Sequence, residues 1–321
     1  MASTNSTTER LALGVDGGGT KTEAWLAHVE PAGEPIVLGR GKVGSSNPRA
    51  VGMETALINL GQAIDAAWAD ARLAPIAVDG AVLAMSGAGH VTVQEQIAAW
   101  ANKRGLAKRL WFKHDAEPVL AEGTPEGWGV ALIVGTGSAA IGCDRQGERK
   151  IVGGWGYHYG DEGSAYWIGR RALESIARAA DGRNPATQLT QAILSRLQVD
   201  DPRAALGALE KTGNVRGAIA SLADAVESAA SNGDATAAGI VEAAAEELAT
   251  MVATLAKQLL FGQEFPLALA GGVICGSELL RNRLQAALKA RSLAPTPIKL
   301  VPHPVAGCLR IAHNCLLTEE D

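Results

Sequence analysis

The sequence predicts an α/β fold made of two domains of similar design. Three observations predict it: strand and helix patterns alternate over residues 11–113, a strand, glycine-rich turn and strand recur over residues 129–143, and an alanine-rich helical stretch follows over residues 161–261. Alternating strands and helices are typical of a mixed sheet covered by helices. A chain of 321 residues is long enough for two domains, each with a hydrophobic core of its own.

In the first half of the chain, each predicted element follows from its apolar spacing. Apolar runs and period-two alternation predict strands, whereas Leu57, Leu60 and Ile64 recur at helical spacing. The predicted strands are 11–15, 21–29, 36–42, 79–85 and 110–113, and the predicted helices are 53–71 and 93–104.

The glycine-rich turn near the N-terminus predicts a nucleotide site. A buried strand leads into Asp16, three glycines and Thr20. Glycines let backbone amides approach a phosphate with no side chain in the way. Asp16 is placed where it can hold a magnesium ion through water, and Thr20 where its hydroxyl and amide can meet a phosphate oxygen. A plain glycine-rich hairpin turn is the alternative.

Two common nucleotide motifs do not fit this turn. A Rossmann fingerprint needs spaced glycines that run into a helix, whereas residues 22–26 alternate as in a strand. A Walker A loop needs Lys before Thr and then a helix, whereas Thr20 precedes Lys21. The segment therefore predicts a hairpin.

The second half of the chain begins with a similar hairpin. Gly135-Thr136-Gly137-Ser138 connects two strand patterns within 129–143, and a third strand is predicted at 149–152. The likeness predicts an internal structural duplication, although short glycine-rich hairpins also resemble one another by chance. The remaining predicted elements are a long helix at 235–260, a buried strand at 266–272, a helix at 276–288, a strand at 299–302 and a helix at 307–317.

Composition and charge narrow the classes of function. The net charge of -5 and the pI of about 5.8 argue against binding to nucleic acid or to an anionic membrane. Residues 1–10 are polar, and no apolar run approaches the roughly 20 residues of a membrane helix, so a soluble cytoplasmic protein is predicted. The scattered cysteines argue against a zinc site, an iron–sulfur cluster ligated within one chain, or a disulfide framework. They are Cys143, Cys275, Cys308 and Cys315, which are predicted to be free, buried thiols.

Five motifs in a fixed order carry a family resemblance. They are Asp16-Gly-Gly-Gly-Thr20, His114-Asp115-Ala116, Gly135-Thr-Gly-Ser138, Gly153-Gly-Trp155-Gly-Tyr-His-Tyr-Gly-Asp161-Glu-Gly-Ser164 and Gly271-Gly272. With these motifs the chain resembles the BadF/BadG/BcrA/BcrD ATPase-like family, above all its N-acetylglucosamine kinase members, within the acetate kinase, sugar kinase, Hsp70 and actin superfamily. The resemblance implies two ribonuclease-H-like (actin-like ATPase) domains with a cleft between them, the second with a large helical portion.

The resemblance also implies domain boundaries and ligands. Residues 1–126 and 306–321 would form an N-terminal actin-like ATPase and sugar-binding domain, with the C-terminal helix packed back onto it. Residues 127–305 would form a C-terminal actin-like ATPase domain. ATP and Mg²⁺ are the implied cofactors, a small sugar is the implied substrate, and the implied assembly is a homodimer.

Individual residues receive roles from the same resemblance. Asp115 would accept the proton of the sugar 6-hydroxyl, and Asp16 would hold the metal. The residues assigned to ATP are Gly18, Gly19, Thr20, Lys21, Thr136, Gly137, Gly272 and Gly276. The residues assigned to the sugar are Asn47, Ser138, Gly154, Trp155, Gly156 and Asp161.

Several of these residues have structural alternatives. Asp115 and Asp161 each precede a helical pattern, where Asp is natural as an N-cap. Asn47 stands before a proline and is by itself a turn residue. Trp155 would more commonly pack in a core, and the glycines at 271–276 would suit tight packing of a strand on a helix.

One residue departs from the family pattern and leaves the sugar open. Ala139 stands where the N-acetylglucosamine kinases carry an asparagine that faces the sugar. The predicted activity is ATP-dependent phosphorylation of the 6-hydroxyl of an amino sugar, N-acetylglucosamine or glucosamine. The alternatives are an activator-type ATPase coupled to a partner enzyme, which would carry an iron–sulfur cluster, and a non-catalytic sensor of ATP or sugar.

Overall fold

A computed structural model describes residues 10–31 and 33–318 of the chain. The polar segment 1–9, in which no signal sequence was predicted, lies outside the described residues. The chain divides into two compact units: an N-terminal unit, Met1–Gly127 with His303–Asp321, and a C-terminal unit, Trp128–Pro302. The predicted boundaries, and the roles predicted for the two domains, stay predictions.

Each unit begins with three consecutive strands, and its last two strands are each preceded by helices. The strands are β1 (Arg10–Gly17), β2 (Lys21–Val29), β3 (Ile36–Gly44), β4 (Val78–Met85), β5 (Ala107–Lys113), β6 (Gly129–Val134), β7 (Ser138–Cys143), β8 (Arg149–Gly153), β9 (Leu267–Ala270) and β10 (Ile298–Val301). The helices are α1 (Pro48–Val51), α2 (Met53–Ala71), α3 (Val91–Lys103), α4 (Glu117–Gly123), α5 (Ala165–Ala180), α6 (Gln188–Leu197), α7 (Ala205–Glu210), α8 (Val215–Ala220), α9 (Ala223–Ser231), α10 (Ala235–Gln258), α11 (Gly272–Gly276), α12 (Glu278–Ala290) and α13 (Val305–Leu317), with 3₁₀ turns at Pro125–Gly127 and Pro202–Ala204.

The N-terminal unit is a five-stranded sheet covered on both faces. Its order is β3-β2-β1-β4-β5, with β1 antiparallel to β2 and parallel to β4. Because side chains alternate along a strand, Leu13 and Val15 of β1 join an apolar cluster with α2 and α3, whereas Ala12 joins one with α13. Gly14 also faces α13, where a Cβ atom would lie 2.9 Å from the Cβ of Cys308.

The C-terminal unit is a second five-stranded sheet under a thick helical layer. Its order is β10-β9-β6-β7-β8, and one apolar cluster joins the sheet to α5, α6, α9, α10 and α12. Asp234 organises this layer, because its carboxylate accepts from the Ala237 amide at the start of α10 and from the Gln188 amide at the start of α6. These bonds satisfy helix-end amides that no carbonyl reaches.

The two sheets bear out the predicted duplication. If β1 is matched to β6, the strands β2, β3, β4 and β5 match β7, β8, β9 and β10 in order and in direction. Both sheets therefore have three antiparallel strands that lead into two parallel ones. The repeat extends over the whole sheet, well beyond the hairpins that predicted it.

Three local predictions need correction. Asp16 and Gly17 belong to β1, so the first turn comprises residues 18–20. The strand predicted at 266–272 ends at Ala270, because Gly271 has a φ of 98° and the chain enters α11 at Gly272. Cys143 and Cys308 are buried free thiols as expected, but Cys275 and Cys315 are only partly buried.

Among the described residues, no helix is both long and apolar enough to cross a membrane.

Candidate functional site

Three polar side chains meet where the parallel strands of the N-terminal unit end. Asp16 lies near the end of β1, Ser86 follows β4, and Asp115 comes two residues after β5. The three strands run parallel in the order β1-β4-β5, so their carboxyl ends share one edge of the sheet. This edge is where open α/β sheets bind ligands.

Asp115 is held by its neighbours as an ionised carboxylate. The Ser86 hydroxyl donates to Oδ2 at 2.6 Å, and Nδ1 of His114 lies 3.0 Å from Oδ1. Burial opposes ionisation, but these partners outweigh it and hold the pKa of Asp115 below its usual value, while the same contact raises the pKa of His114. The N-cap of α4 is Ala116. Asp115 is therefore not the helix cap, and its 31% exposed side chain is accessible to a ligand.

Asp16 is an acid that is costly to ionise where it stands. Burial, with the nearby charges of Asp115 and Glu23, raises its pKa to about 7, although Lys21 opposes the shift. A divalent cation would offset this repulsion. Among the described residues no group of three metal-ligating side chains exists. One carboxylate completed by phosphate oxygens and water is how Mg²⁺ is commonly bound, so Asp16 fits the ion.

The first glycine turn leaves room beside its backbone. A Cβ at Gly19 would meet no atom within 4 Å, and Thr20 is exposed at the tip. The Gly18 amide donates to the Lys21 carbonyl at 2.9 Å and closes the turn. Lys21 forms an ion pair of 3.0 Å with the buried Glu23, so its ammonium group is anchored beside the turn. The open space at Gly19 is what a phosphate would need.

The loop that carries Asn47 is tied to this turn by buried hydroxyls. Ser45 donates to the Gly18 carbonyl at 3.0 Å, and Thr22 donates to Ser46 at 2.8 Å. Oδ1 of Asn47 accepts from the Arg49 amide and so caps α1. The turn role expected of this residue is thus realised, and any sugar contact must use what remains of its carboxamide. The loop that carries Asn47 and the first glycine turn are thus held together within one unit.

The second glycine turn is anchored by the start of α5. The amides of Ala165 and Tyr166 donate to the carbonyls of Gly135 and Thr136 at 2.9 and 3.4 Å. A Cβ at Gly135 would meet nothing within 4 Å. A Cβ at Gly137 would lie 2.8 Å from Oδ2 of Asp161, so this glycine is required by a close approach. The turn is rigid on one side and open on the other.

The predicted sugar-binding loop of the C-terminal unit surrounds Asp161. This residue is 4% exposed and has a φ of 58°, and its carboxylate accepts from the Ser138 amide and from Arg216. Burial raises the pKa of Asp161 despite these partners. The cap of α5 is Ser164, so Asp161 is free of that role. Trp155 is 71% exposed, which overturns the core alternative for this ring.

Gly272 and Gly276 line a cavity of about 160 Å³ in the C-terminal unit. A Cβ at either glycine would meet nothing within 4 Å, so packing does not require them. Asp224 and Glu227 also line the cavity and offer carboxylate acceptors. A larger cavity of about 520 Å³ in the N-terminal unit touches no predicted site residue.

The predicted residues thus fall into two groups, one in each unit. The N-terminal group contains Asp16, residues 18–21, Asn47 and Asp115; the C-terminal group contains residues 136–138, 154–156, Asp161, Gly272 and Gly276. Sequence reasoning gave no role to several residues that contact these residues or line the same cavity, namely Ser86, His114, Arg216, Asp224 and Glu227. Ser86 had a signal, because it directly follows a buried strand, whereas Arg216 lies in a helical stretch with no motif.

Known proteins resemble the chain over most of its length. It is 28% identical over 273 residues to N-acetylmuramic acid/N-acetylglucosamine kinase of Clostridium acetobutylicum, which covers 83% of this chain and 86% of that protein. It is 32% identical over 200 residues to N-acetyl-D-glucosamine kinase of Dictyostelium discoideum, which covers 60% and 61%.

A solved structure is similar over nearly the whole chain. The protein from Chromobacterium violaceum carries the provisional name N-acetylglucosamine kinase, has a TM-score of 0.75 and 27% identity, and covers 96% of this chain and 99% of its own. This similarity confirms the predicted α/β fold of two actin-like ATPase domains. Residues 13–306 match the BadF/BadG/BcrA/BcrD ATPase family along both sheets. The chain belongs to the BadF/BadG/BcrA/BcrD ATPase family.

Proposed function

We propose that the protein is an ATP-dependent kinase that phosphorylates the 6-hydroxyl of an amino sugar, N-acetylglucosamine or glucosamine. The named amino-sugar kinases among its relatives support this reading over an activator-type ATPase or a sensor. The observation that carries it is Asp115, an accessible, ionised carboxylate beside Asp16 at the strand ends.

Asp115 has the properties that the acceptor side of the reaction needs. Its oxygens accept the hydrogen bond of the 6-hydroxyl and orient that oxygen toward the γ-phosphorus. The bond from the sugar oxygen to phosphorus forms, the bond from phosphorus to the leaving ADP oxygen breaks, and the hydroxyl proton passes to Asp115. Ser86 and His114 keep the carboxylate in one orientation.

Each glycine turn by itself offers backbone and hydroxyl groups to phosphate oxygens of the nucleotide. Gly18, Gly19, Thr20 and Lys21 offer donors in the first turn, and Thr136 and Gly137 in the second. Asp16 would hold Mg²⁺, which supplies positive charge to the phosphates when it is bound.

Adenosine would occupy the cavity beside α11. Gly272 and Gly276 leave space for a flat base, and the carboxylates of Asp224 and Glu227 can accept from its amino group or from ribose hydroxyls.

The sugar contacts would come from polar groups and one exposed ring. In the C-terminal unit, Ser138 and Asp161 offer hydrogen-bonding groups, and residues 154–156 present the exposed Trp155 ring to a pyranose face. In the N-terminal unit, the candidate sugar contact is the carboxamide of Asn47. The small Ala139 lies against the same loop: a Cβ atom added at Gly154 would be 3.2 Å from the Cβ of Ala139. A cytoplasmic location and a homodimer stay predictions, and light scattering measures the assembly directly.

A coupled ADP-release assay tests the proposed function. The purified protein is given MgATP and, in turn, N-acetylglucosamine, glucosamine, N-acetylmuramic acid, N-acetylmannosamine and glucose. We expect at least one amino sugar to stimulate ADP release and to yield a phosphorylated product. If none does, the kinase assignment is wrong, and iron analysis of the same preparation then tests the activator alternative.

A further inference from the structure

Asp161 sits in an unusual position for a residue that binds substrate. Its side chain is 5% exposed, and its φ of 58° is in the left-handed region, which non-glycine residues rarely adopt. Two backbone amides, those of Ser138 and Gly156, donate to the carboxylate. The surrounding structure must therefore hold this carboxylate in place against both burial and backbone strain.

Arg216 supplies the side-chain partner of Asp161. It lies on α8, 55 residues further along the chain, and its Nη2 atom is 3.2 Å from Oδ2. Its guanidinium carbon lies 4.9 Å from the centre of the Tyr157 ring, and Tyr157 contacts the rings of His158 and Tyr166. Stacking on a ring and pairing with a carboxylate fix the direction of the planar guanidinium. Arg216 thus links α8 to Asp161 and to Tyr157, which lies in the same loop as Asp161.

The charges around Asp161 make this arginine consequential. Arg216 on α8 favours the ionised carboxylate, whereas Glu162, the next residue in the chain, disfavours it. An ionised carboxylate accepts hydrogen bonds at both oxygens, whereas a protonated one loses acceptor capacity. Nε of Arg216 is also buried and has no partner among the described residues, which leaves a donor available to an oxygen acceptor.

We propose that Arg216 is a positioning residue of the sugar site, which pairs with Asp161 and directs its carboxylate toward the hydroxyls of the acceptor sugar. The inference rests on the proposed kinase function. Arg216 acts through Asp161, so it governs the affinity for the sugar and leaves the affinity for ATP unchanged.

The test replaces Arg216 and a matched control. Arg171 on α5 has the same pair of contacts on the surface of the same unit, 4.9 Å from the Trp167 ring centre and 3.2 Å from Glu174. Arg216→Met is expected to raise the KM for the sugar about 10- to 100-fold and to leave the KM for ATP within about twofold. Arg216→Lys should be intermediate, and Arg171→Met should behave as wild type.

A pH series separates positioning from a merely structural role. Without the guanidinium, Asp161 ionises only at higher pH, so the sugar affinity lost in Arg216→Met should recover in part as the pH is raised. An unchanged KM for the sugar, or an equal, pH-independent rise in both KM values, would overturn the proposal.

Calorimetric titration of sugar in the absence of ATP keeps this inference distinct from the kinase assignment. If wild type binds the sugar at least about tenfold more tightly than Arg216→Met, the inference is supported even where no ADP is released. Equal binding by the two proteins contradicts the inference and leaves the kinase assignment to its own assay. A wild type that binds no sugar overturns both.

Discussion

The two glycine hairpins occupy the same place in two sheets of identical topology, yet they have different surroundings. The first lies between β1 and β2 and follows Asp16, whose pKa is raised to about 7 by burial and by the nearby charges of Asp115 and Glu23. The second, between β6 and β7, has Val134 and Gly135 at the corresponding strand end and is bonded to the start of α5. One turn concentrates charge, and the other is a neutral, anchored support.

The strands beside these hairpins differ in the same way. Ser86 follows β4 and donates to Asp115, whereas Gly271 follows β9 and leaves no room for a side chain against the Val134 carbonyl. The duplicated fold therefore supplies two equivalent edges, but in the proposed mechanism only the first carries the proton acceptor. The second is shaped for close approach of a ligand to the backbone. Shared topology does not imply shared chemistry.

We expect the largest loss of activity from a substitution of Asp115, at the strand ends of the N-terminal sheet. Asp115→Asn keeps the shape of the side chain but removes the proton acceptor, so we expect kcat to fall about 100- to 10,000-fold. ATP binding, measured by calorimetry, should change little, because Asp115 is not assigned to the nucleotide. The exposed Asp200 provides a control as Asp200→Asn, which should keep full activity. Near-normal turnover by Asp115→Asn would remove this residue from the mechanism.

The second prediction concerns the strand ends of the C-terminal sheet, where two adjacent glycines, Gly271 and Gly272, follow β9. At Gly271, φ is 98° and a Cβ would lie 2.4 Å from the Val134 oxygen, so Gly271→Ala should lower the free energy of unfolding by about 2–4 kcal/mol. Gly272 has open space, so Gly272→Ala should keep its stability within about 0.5 kcal/mol and weaken ATP binding. Urea unfolding and ATP titration measure the two quantities. Equal stability loss in both variants would contradict the assigned difference.

The third prediction concerns the pH dependence of the first hairpin without Mg²⁺ and nucleotide. The folded state keeps a proton on Asp16 up to about pH 7, whereas the unfolded chain loses it near the ordinary aspartate pKa of 3.8. The folded state thus binds more protons between these values, and its stability falls as pH rises through them. Asp16→Asn avoids this loss, so its advantage over wild type should be larger at pH 8 than at pH 5 by roughly 2–3 kcal/mol.

Urea unfolding of Asp16→Asn and wild type at both pH values measures this difference, with Asp200→Asn as the control. A stability difference that does not change with pH would show that the Asp16 carboxylate is not disfavoured in the folded protein.

The parts of the site that sequence could predict are those formed by neighbours in the chain. The two glycine turns, Asp16 and Thr20 are read from one strand–turn–strand pattern, because a turn and its flanking strands form from consecutive residues. The distant partners of Asp115 and Asp161 could not be read in this way. Ser86 lies 29 residues from Asp115, and Arg216 lies 55 residues from Asp161.

Asn47 shows a second limit of prediction from sequence. Both readings of this residue, the turn and the sugar contact, were compatible with its place before a proline. The structure uses Oδ1 to cap α1 and joins the loop to the first hairpin through Ser45. Local sequence could not choose between these uses, because the choice depends on which backbone amides the fold brings near the carboxamide.

Local pattern was thus sufficient for the α/β class, the repeated hairpins and the motifs of the family, since periodicity and glycine content act over a few residues. Only the tertiary structure brings Ser86 into hydrogen-bond contact with Asp115 and pairs Arg216 with Asp161. Only the tertiary structure also buries Asp16 near other acids and so raises its pKa. Strand register and helix packing set those distances, and charge and burial depend steeply on distance. The chemistry of each hairpin is therefore determined by the residues that the fold packs around it.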